Sequence, residues 1–88
     1  VVSNFLPKPV VDIYNLCQSG MWEQARKIHE RYLELFKAIF IETNPVPVKT
    51  AMKLIGMIKN PTVRLPLCKM SQINQSTLKT ILKQFDII

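Results

Sequence analysis

Apolar side chains recur every three to four residues along four stretches of the chain, which is the spacing of an amphipathic α-helix. The longest stretch begins at Met21 or Trp22 and ends near Ile41. Its apolar positions form one broad stripe opposite a charged face. The stripe consists of Trp22, Ala25, Ile28, Tyr32, Leu33, Leu35, Phe36, Ile39 and Phe40. The pattern predicts a long helix with one side in a core and an ion pair between Glu23 and Lys27 on the other.

Start and stop signals predict the remaining three helices at Pro9–Ser19, Pro47–Ile55 and Gln72–Phe85. Gly20 and Gly56 follow the first two of these, where glycine is favoured because it adopts the left-handed conformation that ends helices. Ser71 precedes the last helix and is a good N-cap. The sequence therefore predicts an all-α chain of four helices.

The connections between these helices are rich in proline. Two prolines at 45 and 47 exclude a continuous helix there and predict a stiff corner. Asn60-Pro61-Thr62 predicts a turn, and residues 63–67 predict an extended segment that is not a sheet strand, since they contain a proline and little alternation.

The length of 88 residues limits the chain to one domain. It is too short for a complete (β/α)₈ barrel, which needs roughly 250 residues. A hydrophobic content of 48% with 20% charged residues is typical of a folded globular chain. No apolar run approaches the ~20 residues that span a bilayer, and the first residues lack the pattern of a signal peptide. Because the chain does not begin with Met, we expect a cut end rather than a natural one.

The two cysteines, Cys17 and Cys68, are far apart and form no CxxC motif. A disulfide-stabilised scaffold or a zinc site needs more ligands at closer spacing. We expect both thiols to be reduced, buried or half-buried, in a cytosolic protein.

Candidate catalytic residues are few. His29, the single histidine, falls inside the apolar stripe, which favours a core or interface histidine over an acid–base group. Glu30 and Glu34 lie one turn apart among basic residues, which indicates a solvated face. Lys49 is the least implausible Schiff-base lysine, but it shares a helix face with Lys53 and is expected to be solvated. We assign no catalytic, substrate-binding, cofactor-binding or metal-ligating residue, and we expect no cofactor.

The net charge of +6 raises the question of an anionic partner. The lysines that can cluster are Lys49, Lys53 and Lys59, and separately Lys69, Lys79 and Lys83. They are spread over several helices, there is no recognised nucleic-acid module, and the apolar faces are needed for the core. We therefore expect neither nucleic acid nor membrane as a partner, and a basic nucleic-acid binder stays the weakest alternative.

The amount of apolar surface exceeds what a free-standing bundle of this length needs. Every predicted helix has a wide apolar face, and aromatic residues are concentrated on the longest one. Two outcomes fit this excess: self-association, or packing against a domain that is absent from the chain.

Particular segments of the sequence match a known family. Glu42-Thr43-Asn44-Pro45-Val46-Pro47-Val48-Lys49 and Arg64-Leu65-Pro66-Leu67 are the specific parts. Supporting matches are Val2-Ser3-Asn4, Ala25-Arg26, the run from Leu33 to Phe40, and Ser71. Together they resemble, over essentially the whole chain, the C-terminal part of the dihydrodipicolinate synthase family, within the class I aldolase-type (N-acetylneuraminate lyase) superfamily.

The resemblance implies a fold and a domain organisation. Residues 1–20 would comprise the end of the last strand of a (β/α)₈ barrel and its exit, at Val1–Asn4, and the last barrel helix. Residues 21–88 would form a three-helix C-terminal domain. The family is a lyase that condenses pyruvate with aspartate semialdehyde, through a lysine Schiff base, in diaminopimelate and lysine biosynthesis.

The resemblance also implies where the chemistry lies. The Schiff-base lysine of the family, its tyrosines and its carboxylate-binding arginine all lie upstream, and Lys49 matches a different lysine. We therefore expect this chain to be inert and to brace the missing N-terminal barrel in a cytoplasmic homo-oligomer, most often a tetramer. A stand-alone helical protein-interaction module is the main alternative.

Overall fold

The computed structural model describes all 88 residues and is all-helical. After a one-turn 3₁₀ helix at Val2–Asn4, the helices are α1 (Pro7–Gln18), α2 (Trp22–Ala38), α3 (Val46–Leu54) and α4 (Gln72–Gln84). The prediction of four α-helices without a strand is confirmed.

The ends of the helices follow local chemistry closely. Gly20 and Gly56 have φ angles of +75° and +85°, so both end their helices in the left-handed region that glycine favours. The hydroxyl of Ser71 accepts a hydrogen bond from the Asn74 N–H at 3.2 Å, which confirms Ser71 as the N-cap of α4.

Helix α2 ends at Ala38, before the predicted end near Ile41. The N–H groups of Phe40 and Ile41 donate to carbonyls three residues back, at 3.0 and 3.1 Å. This 3₁₀-type pattern tightens the last turn, because the chain must bend there into the proline-rich corner. The helix boundary therefore depends on the turn that follows it.

The first residues form a short helix of their own. Val2–Asn4 form a 3₁₀ turn closed by the Phe5 N–H to Val2 C=O bond at 3.1 Å, where the resemblance implies the end of the last barrel strand and its exit. A strand is stabilised by hydrogen bonds to a neighbouring strand, and the structure pairs this backbone within its own turn. The assignment of residues 1–20 to a barrel stays a prediction.

The core lies where α2, α3 and α4 meet. Five of its side chains are completely buried. They are Leu35 of α2, Ile39 directly after α2, Ala51 of α3, and Leu78 and Leu82 of α4. Helix α1 packs against α2 and the N-terminal 3₁₀ turn rather than entering this cluster. Only 15 of the 88 residues are buried in all, so the core is small.

The molecule is elongated, with extents of 42 × 24 × 20 Å. Its radius of gyration of 14.1 Å exceeds the value of about 12 Å expected for a compact domain of this length. The accessible surface is 6120 Å², against about 5,300 Å² for a compact protein of this mass. The chain therefore leaves surface uncovered that a self-contained domain buries.

The exposed surface includes the two ends of the apolar stripe that runs along α2. Trp22 and Phe40, at its two ends, are 65% and 61% exposed, whereas Ala25 and Leu35 are buried. The stripe predicted as core-facing is thus only partly covered.

Candidate functional site

His29 lies on the surface of α2 and not in the core, so of the two expected places, core or interface, only an interface stays a prediction. Its ring centroid is 5.7 Å from that of Phe36, two helical turns along. The structure contains no group of three or more His, Cys, Asp or Glu side chains that could hold a metal ion. His29 borders the covered side of α2 without entering the core.

The acidic residues of α2 form a charged surface, as predicted for Glu30 and Glu34. Arg26 contacts Glu23 at 3.0 Å and Glu30 at 3.6 Å, and all these side chains are exposed. The predicted pair of Glu23 with Lys27 is wrong: Glu23 pairs with Arg26, whose guanidinium also contacts Glu30. Exposed pairs of this kind contribute little to stability.

The cysteines lie in different surroundings. Cys17 is half-buried on α1, as expected, but Cys68 is exposed, which contradicts the prediction for it. Cys68 lies on the surface in the irregular segment before α4, just after a turn at 65–66. The Leu67 N–H to Arg64 C=O bond of 3.0 Å closes this turn, so the prediction of an extended segment at 63–67 is wrong. Both thiols are free.

Lys49 has a structural contact rather than a free amine. Its Nζ donates a hydrogen bond of 2.9 Å to the backbone carbonyl of Thr62, thirteen positions along. The side chain of Asn60 in turn accepts a hydrogen bond of 2.9 Å from the Thr62 N–H, an Asx turn. Lys49 therefore joins α3 to the predicted turn at 60–62, whereas Lys53 stays exposed.

Glu42 holds the start of α4, a role that its place in the sequence motif at 42–49 does not predict. Its Oε2 accepts a hydrogen bond of 2.7 Å from the Asn74 side-chain amide and one of 3.1 Å from the Ser71 N–H. The bond from Asn74 is the main cause that lowers the pKa of Glu42, assisted by Ser71 and opposed by partial burial. No local sequence signal connects a carboxylate to a helix start some thirty residues away.

An apolar groove of about 300 Å³ lies between the N-terminal 3₁₀ turn, α1 and the end of α2. Its apolar lining comprises Val1, Val2, Val10, Ile13, Phe36 and Phe40. Phe40 is 61% exposed and Val10 is 37% exposed, so the groove is open to solvent. Such a surface suits packing against protein better than catalysis, because it lacks convergent polar groups.

The chain matches a protein-family model described as the dihydrodipicolinate synthetase family, over residues 1–85. This chain belongs to the dihydrodipicolinate synthetase family. The match includes all four helices and the proline-rich corner between α2 and α3. The resemblance that the sequence motifs indicated is therefore confirmed.

Curated members of the family match the chain along its whole length. It is 44% identical to the 4-hydroxy-tetrahydrodipicolinate synthase of Sulfurihydrogenibium sp. (strain YO3AOP1) and 46% identical to that of Persephonella marina, over 88 residues in each case. The chain spans about 30% of the length of these relatives.

Solved structures of the family share the fold of this chain. The dihydrodipicolinate synthases of Thermotoga maritima and Aquifex aeolicus superpose with TM-scores of 0.93 and 0.94, each at 40% identity. They match 100% and 99% of this chain, which covers 30% and 29% of theirs. The helices thus adopt the arrangement found within the larger family structures.

No helix of this family member is both long enough and apolar enough to cross a membrane.

Proposed function

We propose that this chain is the C-terminal part of a dihydrodipicolinate synthase. The whole protein would condense pyruvate with aspartate semialdehyde, holding pyruvate as a Schiff base on a lysine, in diaminopimelate and lysine biosynthesis. The observation that carries the proposal is the match of all 88 residues to proteins named 4-hydroxy-tetrahydrodipicolinate synthase, at 44% and 46% identity.

The role proposed for this part is to brace the barrel and shape subunit contacts. Residues 1–20 would supply the end of the last barrel strand and the last barrel helix, and residues 21–88 the C-terminal helical domain. The open apolar groove and the surface of 6120 Å² support this role, because both call for a protein partner.

The proposed partners are the N-terminal barrel of the same protein and further copies of the subunit, as a homotetramer in the cytoplasm. The chain itself is proposed to be catalytically inert. The contact of the Lys49 amine with the Thr62 carbonyl supports this, because a Schiff-base lysine must present a free, desolvated amine to its substrate.

The test is an assay of the 88-residue chain with pyruvate and aspartate semialdehyde, alongside borohydride trapping of any pyruvate adduct. We expect neither turnover nor a mass increase on any lysine. A Lys49→Arg variant is the matched control, since it keeps the charge but cannot form a Schiff base. Turnover, or an adduct that the Lys49→Arg variant lacks, would contradict the proposed inertness.

Sedimentation and thermal melting of the chain distinguish the proposed part of a synthase from the alternative, a stand-alone interaction module. The proposed part-protein should self-associate, because its apolar groove is uncovered. A monodisperse, cooperatively melting monomer would favour the alternative. Salt-dependent binding to duplex DNA would instead favour the basic nucleic-acid binder.

A further inference from the structure

A second concave surface, here called the lysine cleft, lies between α3 and the segment that leads to α4. Its volume is about 360 Å³, and its lining includes Lys53, Asn60, Thr62, Cys68 and Lys69. A smaller cavity of about 90 Å³ is also lined by Lys53 and Lys69. Two lysines thus border the same pair of cavities, although they are sixteen positions apart in the sequence.

The lysine cleft has no negative charge of its own. Neither cavity is lined by an aspartate or glutamate. The ion pairs of the chain lie on α1 and α2, where Lys8 contacts Asp12 and Arg26 contacts two glutamates. Glu42 is engaged with the start of α4. Lys53 and Lys69 therefore face the cleft without a carboxylate partner, in a chain of net charge +6.

The wall of the lysine cleft is held in place by hydrogen bonds. The Thr62 N–H donates to Asn60 Oδ1 at 2.9 Å, and the Thr62 carbonyl accepts from Lys49 Nζ at 2.9 Å. On the other side, Gln75 Nε2 donates to the Met70 carbonyl at 2.8 Å, which ties the segment holding Lys69 to α4. The cleft is thus a shaped surface rather than a gap between loose side chains.

We infer that the lysine cleft binds a small, doubly charged oxyanion between Lys53 and Lys69, with phosphate as the simplest example. Ammonium groups bind phosphate oxygens as point charges, and two of them match the charge of a dianion. The volume lies in the range of small-molecule sites. Because both lysines are exposed, binding should weaken as ionic strength rises.

Cys68 provides a local reporter, since it lines the cleft, and Cys17 on α1 provides an internal control. The rate of alkylation of each thiol by iodoacetamide is followed by mass spectrometry of the 88-residue chain. Inorganic phosphate at about ten times its dissociation constant should slow the alkylation of Cys68 by about tenfold, because only about a tenth of the sites stay free. The Cys17 rate should not change.

Matched variants separate a site from general charge. A Lys53→Gln/Lys69→Gln variant should lose the protection of Cys68 by phosphate. A Lys27→Gln/Lys83→Gln variant removes the same amount of charge, from α2 and α4. In this variant phosphate should still protect Cys68, since neither residue lines the cleft. Succinate in place of phosphate tells a dicarboxylate from a phosphoryl ligand, and protection by either supports the oxyanion site.

Three results would overturn the inference. One is a Cys68 rate that neither phosphate nor succinate changes. Another is equal protection by chloride at matched ionic strength, which would mean that screening alone slows the thiol. The third is protection that survives in the Lys53→Gln/Lys69→Gln variant.

Discussion

The carboxylate of Glu42 accepts a hydrogen bond of 2.7 Å from the side-chain amide of Asn74, across thirty-two positions of sequence. The same oxygen accepts the Ser71 N–H at 3.1 Å, at the start of α4. Glu42 therefore fastens the corner that follows α2 to the first turn of α4. A negative charge there is also favoured by the helix dipole.

Removal of the Glu42 carboxylate should destabilise the fold. Glu42→Ala leaves the Ser71 N–H and the Asn74 amide without this acceptor and is expected to cost about 1 kcal/mol, the usual cost of a lost helix cap. Urea unfolding followed by circular dichroism measures the cost. Glu34→Ala is the control, because Glu34 is exposed on α2 and has no ion pair. An equal urea midpoint for both variants would contradict the proposed capping of α4 by Glu42.

The contribution of Glu42 should depend on pH. Its pKa is lowered in the folded chain, chiefly by the bond from Asn74, so the folded state prefers the charged form. The stabilisation is fully present above the ordinary value of 4.5 and is lost as the pH falls through the lower folded pKa.

This pH dependence is measured by melting temperatures from neutral pH down to below the folded pKa of Glu42. The Asn74→Ala variant should lose part of the decline below pH 4.5, because it removes the main cause of the lowered pKa. A decline identical to that of the unmodified chain would show that other carboxylates account for it.

Two leucines with opposite burial test the position of the core. Leu35 is completely buried and Leu65 is 91% exposed. Leu35→Ala is expected to cost about 2–5 kcal/mol through lost contacts and a cavity, while Leu65→Ala should stay within about 0.5 kcal/mol. Urea midpoints of the two variants measure the contrast. Similar midpoints would show that Leu35 does not lie in the core.

The apolar groove should govern association of the chain. Phe40→Ser removes an exposed ring from the groove, so it should reduce self-association and the binding of an apolar dye such as anilinonaphthalene sulfonate, with little change in stability. Light scattering and dye fluorescence measure these effects. Met57→Ser is the control, since Met57 is 53% exposed but does not line the groove. Equal effects of both substitutions would mean that general hydrophobicity, not the groove, causes association.

Gly56 should resist substitution because of its backbone rather than its surroundings. Its φ is +85°, and a methyl group added at its Cα would meet no atom within 4 Å beyond the adjoining residues. Gly56→Ala is therefore expected to cost about 1 kcal/mol from backbone strain alone. Gly56→Asn should cost less, since asparagine tolerates this conformation better. Melting temperatures rank the stability of the unmodified chain and the two variants. A Gly56→Ala variant as stable as the unmodified chain would contradict the expected backbone strain.

Much of the local structure was determined by the sequence itself. Four helices were predicted from apolar spacing, and Gly20, Gly56 and Ser71 marked ends that the structure confirms. These signals are local, because a glycine or a capping serine acts on the backbone beside it. The two motifs at 42–49 and 64–67 were likewise sufficient for the family resemblance that the comparisons confirm.

The surroundings of single side chains were decided only by the tertiary structure. The stripe of α2 predicted burial for Trp22, yet Trp22 is exposed, because periodicity says which residues share a side and not how far another helix covers it. Glu42 accepts a hydrogen bond from Asn74, 32 positions along the chain. Lys49 donates one to the Thr62 carbonyl, 13 positions along. Contacts of that range arise from the path of the chain between helices, which no local pattern encodes.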